Sequence, residues 1–220
     1  MRTLGVVGLG FVGTALCEGM KHAFDIIGYD KAKGMLHHRT GHGFKTADKP
    51  GPPPDFQEGL RTVVEMSDGP IFVCVPTPMR VDNSCNTSIV EEVVLAIHEI
   101  TQQMKDEHHD SMNKRVVVIK STVVPGTTER LNNQSPGIVV CFNPEFLTER
   151  NALDDFKNQN RIIIGGPHSG TAVLKQMYNT AYPNVPVTKT SSTIAEMIKY
   201  VTNSFLATKV AFANEIEQIC

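Results

Sequence analysis

TLGVVGLGFVGTALCEGM, residues 3–20, joins a short apolar run to a glycine-rich turn and then to a segment with helical periodicity. Gly8, Gly10 and Gly13 stand at GxGxxG spacing, in the strand–turn–helix order in which this motif binds a dinucleotide. Gly8 allows the tight turn, Gly10 lets a diphosphate approach the backbone, and Gly13 lets the helix pack closely on the strand. This segment predicts the first strand and helix of a dinucleotide-binding sheet.

The start of the first predicted helix and the end of the second strand complete this site. Unpaired N–H groups at Phe11 and Val12, at the positive end of the helix dipole, are expected to bind the diphosphate. Asp30 ends the second predicted strand, 17 residues after Gly13, where a carboxylate binds a ribose hydroxyl. Its charge repels a 2′-phosphate, so NAD is the expected cofactor, although Lys31 and Lys33 weaken the preference over NADP.

Apolar runs alternate with helix-period segments, which predicts an α/β fold with a Rossmann-type doubly wound parallel sheet, followed by a long C-terminal helix. The strand segments are continuously apolar, as strands covered on both faces require, and span residues 3–7, 25–29, 71–75, 115–119, 137–141, 161–164 and 185–188. Helices are predicted at residues 12–22, 56–66, 88–105 and 169–178, and from residue 192 onward. Residues 31–54 contain several glycines and the run PGPPPD, and are predicted to form an exposed loop.

The composition excludes several classes of protein. Of the 220 residues, 40% are hydrophobic and 20% charged, and no long apolar tract occurs, so neither a disordered nor a membrane-spanning chain is expected. A net charge of -2 without a basic run argues against a nucleic-acid partner. Five widely spaced cysteines and the lack of a signal-peptide pattern favour reduced thiols and a cytoplasmic location. His37, His38 and His42 have no ligand partners at suitable spacing, so no metal site is expected.

Four further motifs give the chain a family resemblance. They are CVPTPM at residues 74–79, IKSTVVPGTT at 119–128, FNPEFLTERNALDDF at 142–156 and IKYVTNSFLATKVAFANEI at 198–216. In this order and spacing they resemble the UDP-glucose/GDP-mannose dehydrogenase family, over essentially the whole chain. The resemblance implies that the C6 alcohol of a nucleotide sugar is oxidised to a carboxylate by two hydride transfers to NAD. UDP-glucose is the expected substrate.

The resemblance also implies catalytic and substrate-binding residues. Glu145 matches the family's general base or water-linked acid–base group, and the backbone at Phe146 and Leu147 is expected to contact the sugar. Lys199 and Asn203 lie four residues apart and share a helix face. In the family this lysine stabilises developing oxyanion charge and the asparagine adds a hydrogen-bond donor. Spacing alone favours a surface-loop carboxylate for Glu145, and the flanking motif residues reverse that interpretation. For Lys199 the alternative is a solvated lysine beside a polar cap residue.

Other positions match cofactor contacts of the family. Thr122 matches the threonine that holds the catalytic water and the cofactor, and it follows Ser121 at the end of a predicted strand. Strand ends are where open α/β sheets bind ligands, so the physical expectation agrees with the resemblance. The remaining matches are cofactor contacts at Lys33, Pro76, Thr77 and Glu149.

The family's catalytic cysteine lies in a GGxCxPKD-like motif that these 220 residues do not contain. We therefore expect residues 1–191 to form the NAD-binding domain, residues 192–220 to begin a long connecting helix, and the chain alone to be inactive. The apolar stripe of that helix predicts a homodimer or a contact with a separately encoded remainder.

Two other functions stay open on the sequence. One is a non-catalytic NAD-binding or assembly subunit that docks through the last helix. The other is a dehydrogenase of the hydroxyacid group, which also joins a Rossmann domain to a long helix, but the NPEFL segment argues against it.

Overall fold

The computed structural model describes residues 2–39, 43–46, 55–108 and 114–220. Strands in this part of the chain are β1 (Thr3–Val7), β2 (Asp25–Asp30), β3 (Gly34–Arg39), β4 (Gly43–Thr46), β5 (Ile71–Val73), β6 (Arg115–Ile119), β7 (Ile138–Phe142), β8 (Ile162–Gly165) and β9 (Val187–Thr190). Helices are α1 (Phe11–Met20), α2 (Phe56–Met66), α3 (Ser88–His108), α4 (Thr127–Gln134), α5 (Ala152–Lys157), α6 (His168–Ala181) and α7 (Ser192–Ile219). The strands form one sheet in the order β4-β3-β2-β1-β5-β6-β7-β8-β9.

The centre of the sheet creates the crevice in which a ligand can lie. β1 pairs in parallel with β2 on one side and with β5 on the other. The chain thus leaves β1 first toward one edge of the sheet and later crosses to the other edge. Such a reversal opens a crevice at the carboxyl ends of the strands, which is where open α/β sheets bind ligands.

Side chains along the strands alternate between two hydrophobic clusters, one on each face of the sheet. Val7 and Val73 belong to the cluster that includes residues of α2, α3 and α7. Val6 and Phe72 belong to the cluster that includes residues of α1, α5 and α6. Because helices cover both faces, the strands are apolar on both sides, and the α/β architecture predicted from those continuous apolar runs is confirmed.

The prediction of an exposed loop over residues 31–54 is wrong. β3 pairs antiparallel with β2, and β4 with β3, so part of this segment extends the sheet as a hairpin. Met35 and Leu36 are half-buried and pack against the two clusters, which gives the segment an apolar anchor that its glycines and histidines obscured. Residues 40–42 and 47–54 of the predicted loop lie outside the described residues.

Other differences concern the direction and the bounds of elements. The sheet is mixed rather than wholly parallel, because β7 and β8 also run antiparallel, through the pair Phe142 and Gly165. β9 begins two residues later than predicted. α4 and α5 were not predicted, and α5 has only 6 residues.

The last helix, α7, has 28 residues and two different halves. Ser191 caps its start by accepting a hydrogen bond from Ile194 N at 3.3 Å. Buried positions occur only in its first turns, at Ser192, Ala195, Glu196 and Lys199. From Asn203 onward its side chains are exposed. In the described part of the chain no helix combines the length and the hydropathy needed to span a bilayer.

Candidate functional site

The turn between β1 and α1 has no room for side chains at two of its three glycines. Gly8 has a φ of +90°, and a Cβ there would lie 2.6 Å from the carbonyl oxygen of Cys74. A Cβ on Gly13 would overlap the carbonyl oxygen of Gly8. At Gly10, by contrast, a Cβ would meet no atom within 4 Å, so open space faces the backbone at the start of α1. A diphosphate fits this space, beside the free N–H groups of the helix.

Asp30, predicted to bind a ribose, also holds the glycine-rich turn. Its Oδ2 accepts from Leu9 N at 2.8 Å, and its Oδ1 accepts from Ala32 N at 2.9 Å and Lys33 N at 3.2 Å. Burial acts to raise the pKa of Asp30, but the three N–H donors and the charge of Lys33 together hold that pKa below its ordinary value. The carboxylate is therefore kept charged at the edge of the cofactor cleft.

We expect Asp30 to make the fold more sensitive to acid. Its folded pKa lies below the ordinary 3.8, so its stabilising contribution is complete above about pH 3.8 and is lost as the pH falls through the folded value. Asp30→Asn removes this titration, so its free energy of unfolding should change less with pH in that window. Urea unfolding between about pH 2 and pH 6 measures the difference. Exposed Asp154→Asn is the control, and parallel curves for Asp30→Asn and the unmodified chain would contradict the prediction.

A cleft of about 450 Å³ lies along the first turns of α1. Gly10 and the exposed ring of Phe11 line it on the side of the glycine-rich turn, and Lys33 lines it near the end of β2. Lys33 Nζ donates to Leu9 O at 2.5 Å, which ties the segment after β2 to the turn. Val12, also predicted to bind the cofactor, is half-buried.

The segments after β5 and β6 are joined by a predicted cofactor residue. Ser121 donates from Oγ to Val75 O at 2.6 Å, so its hydroxyl bridges two neighbouring strand ends. Thr122 is half-buried, and its carbonyl oxygen accepts from Cys85 Sγ at 3.6 Å. Pro76 and Thr77 follow directly along the first of these segments, exposed and half-buried respectively. These four predicted residues therefore share the carboxyl edge of the sheet with the glycine-rich turn.

Glu145 and Lys199 form a buried ion pair. Lys199 Nζ lies 2.5 Å from Glu145 Oε1 and 2.6 Å from Glu145 O, and the two side chains are 5% and 13% exposed. The other carboxylate oxygen, Oε2, accepts from Leu147 N at 2.7 Å. Glu145 follows β7, which runs parallel to β6, so the pair also lies at the carboxyl edge of the sheet. The surface-residue interpretation of these two side chains is thus wrong.

The remaining predicted substrate contacts are arranged around this pair. The ring centre of Phe146 lies 4.8 Å from the Arg161 guanidinium carbon and 5.8 Å from Lys199 Nζ. Asn203 is exposed one turn beyond Lys199 on α7. Glu149 begins a short 3-10 helix, Glu149–Asn151, and its side chain lies outside the described part of the chain.

A buried network behind Glu145 was missed by the sequence analysis. Lys120 Nζ donates to Asn143 Oδ1 at 2.9 Å, Tyr178 OH donates to the same oxygen at 2.5 Å, and Asn143 Nδ2 donates to Ile163 O at 2.7 Å. Burial lowers the pKa of Lys120 to about 8. The network fixes the residue two positions before Glu145. A lysine ending an apolar strand, in IKST, was the available signal.

A second missed residue, Glu196, connects α7 to the loop after β6. Its carboxylate is fully buried and accepts from Gly126 N at 2.6 Å, from Thr128 N at 2.8 Å and from Thr128 Oγ1 at 2.6 Å. These donors stand at the N-terminus of α4, which has no cap from its own N-cap residue. Glu196 therefore supplies the cap from another helix, one turn before Lys199.

No group of three histidine, cysteine or carboxylate side chains suited to a metal ion occurs among the residues that the structure describes. Of the three histidines considered in the sequence, the side chains of His38 and His42 are outside that set.

Comparisons with known proteins match two parts of the chain to domains of one family. The NAD binding domain of the UDP-glucose/GDP-mannose dehydrogenase family matches residues 55–182, and the family's central domain matches residues 193–220. A UDP-glucose 6-dehydrogenase of Haloferax volcanii is 30% identical, with 99% of this chain and 54% of that protein aligned. A GDP-mannose 6-dehydrogenase of Azotobacter vinelandii is 29% identical, over 98% and 52%. The chain thus spans about half the length of the curated relatives it matches.

Solved structures show the same relation. A UDP-glucose dehydrogenase from Pyrobaculum islandicum superposes with a TM-score of 0.75 at 28% identity, covering 98% of this chain and 52% of that one. A ternary complex of GDP-mannose dehydrogenase from Pseudomonas aeruginosa gives a TM-score of 0.72 at 26% identity, with the same coverage. The Rossmann-type fold predicted from the sequence is confirmed by these structural neighbours.

Proposed function

The chain belongs to the UDP-glucose/GDP-mannose dehydrogenase family and has NAD as its cofactor, and from this premise we propose that it forms the cofactor-binding half of an enzyme that oxidises the C6 alcohol of UDP-glucose to a carboxylate. The observation that carries the proposal is the buried ion pair of Glu145 and Lys199 at the edge of the sheet that holds the glycine-rich turn. NAD supplies the acceptor for the hydride that leaves C6.

In this proposal Glu145 handles the proton of the reacting alcohol. Oε1 is held by Lys199 and Oε2 by Leu147 N, so the carboxylate has one orientation from which to accept a proton directly or through a water. The ammonium of Lys199 stabilises an oxygen that becomes negative beside it, and Asn203 adds a donor one turn away. The Lys120 network keeps the backbone before Glu145 in place.

Thr122 is proposed to hold the water and to border the cofactor. Its hydroxyl makes no hydrogen bond to any residue in the described ranges, while its carbonyl group is held by Cys85. Ser121 keeps the same loop against the segment of Pro76 and Thr77. The hydroxyl is thus available to a bound molecule. We also propose that Glu149 contacts the cofactor and that the backbone at Phe146 and Leu147 contacts the sugar, as the resemblance implies.

We propose that the thiol needed for the second oxidation comes from outside these residues. Burial raises the pKa of Cys74 and of Cys141 to about 12, and burial raises the pKa of Cys17 as well. A neutral thiol is a poor nucleophile, so none of these three can attack an aldehyde efficiently near neutral pH. Because the family's cysteine motif does not occur in these residues, we propose that the chain by itself is inactive in the complete oxidation.

Saturation-transfer NMR with UDP-glucose and NAD tests the substrate assignment. We expect transfer to the hexose H6 protons, since C6 must lie near Glu145, and less to the uracil protons. Asn203→Ala should lower the H6 signal, because it removes an exposed donor beside Lys199 without disturbing the core. Asn214→Ala, exposed on the same helix, is the matched control. Equal signals in both variants, or steady uronate production by the chain alone, would contradict the proposal.

A second candidate function, a non-catalytic assembly subunit, is favoured by the exposed half of α7. Phe205, Val210 and Phe212 are more than half exposed there, and residues 193–220 match the start of the family's central domain. Such a face is stabilised by a second copy of the chain or by a separately encoded remainder. Sedimentation with and without the expressed remainder distinguishes the two functions: assembly without hydride transfer in the complex would favour the subunit role.

A further inference from the structure

The cofactor cleft has a wall that the GxGxxG motif does not supply. Gly10, Phe11 and Thr14 line one side, and the opposite side consists of Arg150, Ala152 and Leu153, from the short helix after the NPEFL segment and from the start of α5. The cleft continues past Lys33 into a pocket of about 320 Å³ beside β3. A dinucleotide lying along α1 would therefore pass between the glycine-rich turn and Arg150.

Arg150 is the one cation of this wall among the side chains that the structure describes. It is exposed and makes no hydrogen bond or ion pair to any residue whose side chain the structure describes. The acidic residue of the same cleft, Glu18, is already paired with Lys21 at 2.6 Å. Lys33 donates to Leu9 O rather than to a carboxylate. Two basic side chains thus line the space beside the start of α1, and the charged carboxylate of Asp30 lies at the Lys33 end.

We propose that Arg150 is a cofactor-binding residue whose guanidinium, with Lys33 near the other end of the cleft, holds the diphosphate of NAD against the glycine-rich turn. A guanidinium can donate two parallel hydrogen bonds to phosphate oxygens, which an ammonium cannot do. The proposal rests on NAD binding at this turn. Part of the affinity for NAD would then come from a side chain that lies two residues before α5 and five residues after Glu145. The segment from Glu145 to Arg150 would contact both the cofactor and the substrate.

Calorimetric titration of the chain with NAD, ADP-ribose and adenosine tests this assignment. Arg150→Gln should weaken NAD and ADP-ribose binding about tenfold at low salt, corresponding to about 1.4 kcal/mol, and should leave adenosine binding unchanged. The loss should shrink as salt screens the exposed charge. Arg150→Lys should keep part of the affinity, because the charge remains but the bidentate geometry is lost.

Lys175→Gln, which removes one positive charge from the exposed face of α6, is the matched control. Unchanged NAD affinity in Arg150→Gln at every salt concentration would overturn the proposal, as would an equal loss for adenosine, which would indicate a deformed cleft. Failure of the unmodified chain to bind NAD would instead contradict the cofactor site itself. The two failures are therefore distinguishable.

Discussion

Gly10→Ala is expected to leave the fold intact and to weaken NAD binding by at least about 100-fold. The backbone at Gly10 has φ −72° and ψ −158°, which an alanine adopts without strain, and a Cβ there meets no atom within 4 Å. The added methyl group would occupy the space in which the diphosphate must approach the helix N-terminus. Thermal unfolding measures the stability of the variant, and calorimetric titration measures its affinity for NAD.

Gly13→Ala provides the contrast. Its Cβ would overlap Gly8 O, so the turn and α1 must move apart, and both stability and cofactor affinity should fall. Gly10→Ala should separate these effects, with a melting temperature near that of the unmodified chain. Normal NAD affinity in Gly10→Ala would show that the cofactor does not use this turn.

Glu196→Ala is expected to have the largest effect on stability. The change leaves Gly126 N, Thr128 N and Thr128 Oγ1 without their acceptor in a buried place. We expect a loss of about 3 kcal/mol in the free energy of unfolding, which for a chain of this size lowers the melting temperature by about 6–12 °C. Differential scanning calorimetry gives both values.

Glu215→Ala removes a carboxylate from the exposed half of the same helix and should change the melting temperature little. Glu196→Gln should fall between the two, because its amide oxygen can accept from Thr128 but its NH2 group faces Gly126 N. A Glu196→Ala protein as stable as Glu215→Ala would refute the capping role.

The parts of the fold that were predictable depend on local patterns. The βαβ unit around the glycine-rich turn follows from residue spacing, and α2 was predicted with its observed bounds. The β3–β4 hairpin was not predictable, because what stabilises it is packing of Met35 and Leu36 against distant strands. α4 was missed for a similar reason, since its cap is Glu196, far away in sequence.

The residues of the candidate site were likewise predictable only in part. The matches to a family pattern brought Glu145 and Lys199 to attention, and the structure places them in contact. Lys120, Asn143 and Tyr178 were missed, because a buried hydrogen-bond network has no sequence spacing of its own. Arg150 was also missed, since it follows the motif and becomes notable only when the cleft is seen.

The 28 residues of α7 form one continuous helix about 40 Å long. Glu196 and Lys199 fix its near end to two loops of the site, while its far end projects from the sheet with apolar side chains exposed. A continuous helix of this length bends only gently, so a tilt imposed on the far end displaces the ammonium at the near end. In the proposed function, a partner bound at the far end would therefore act on the group that stabilises the oxyanion.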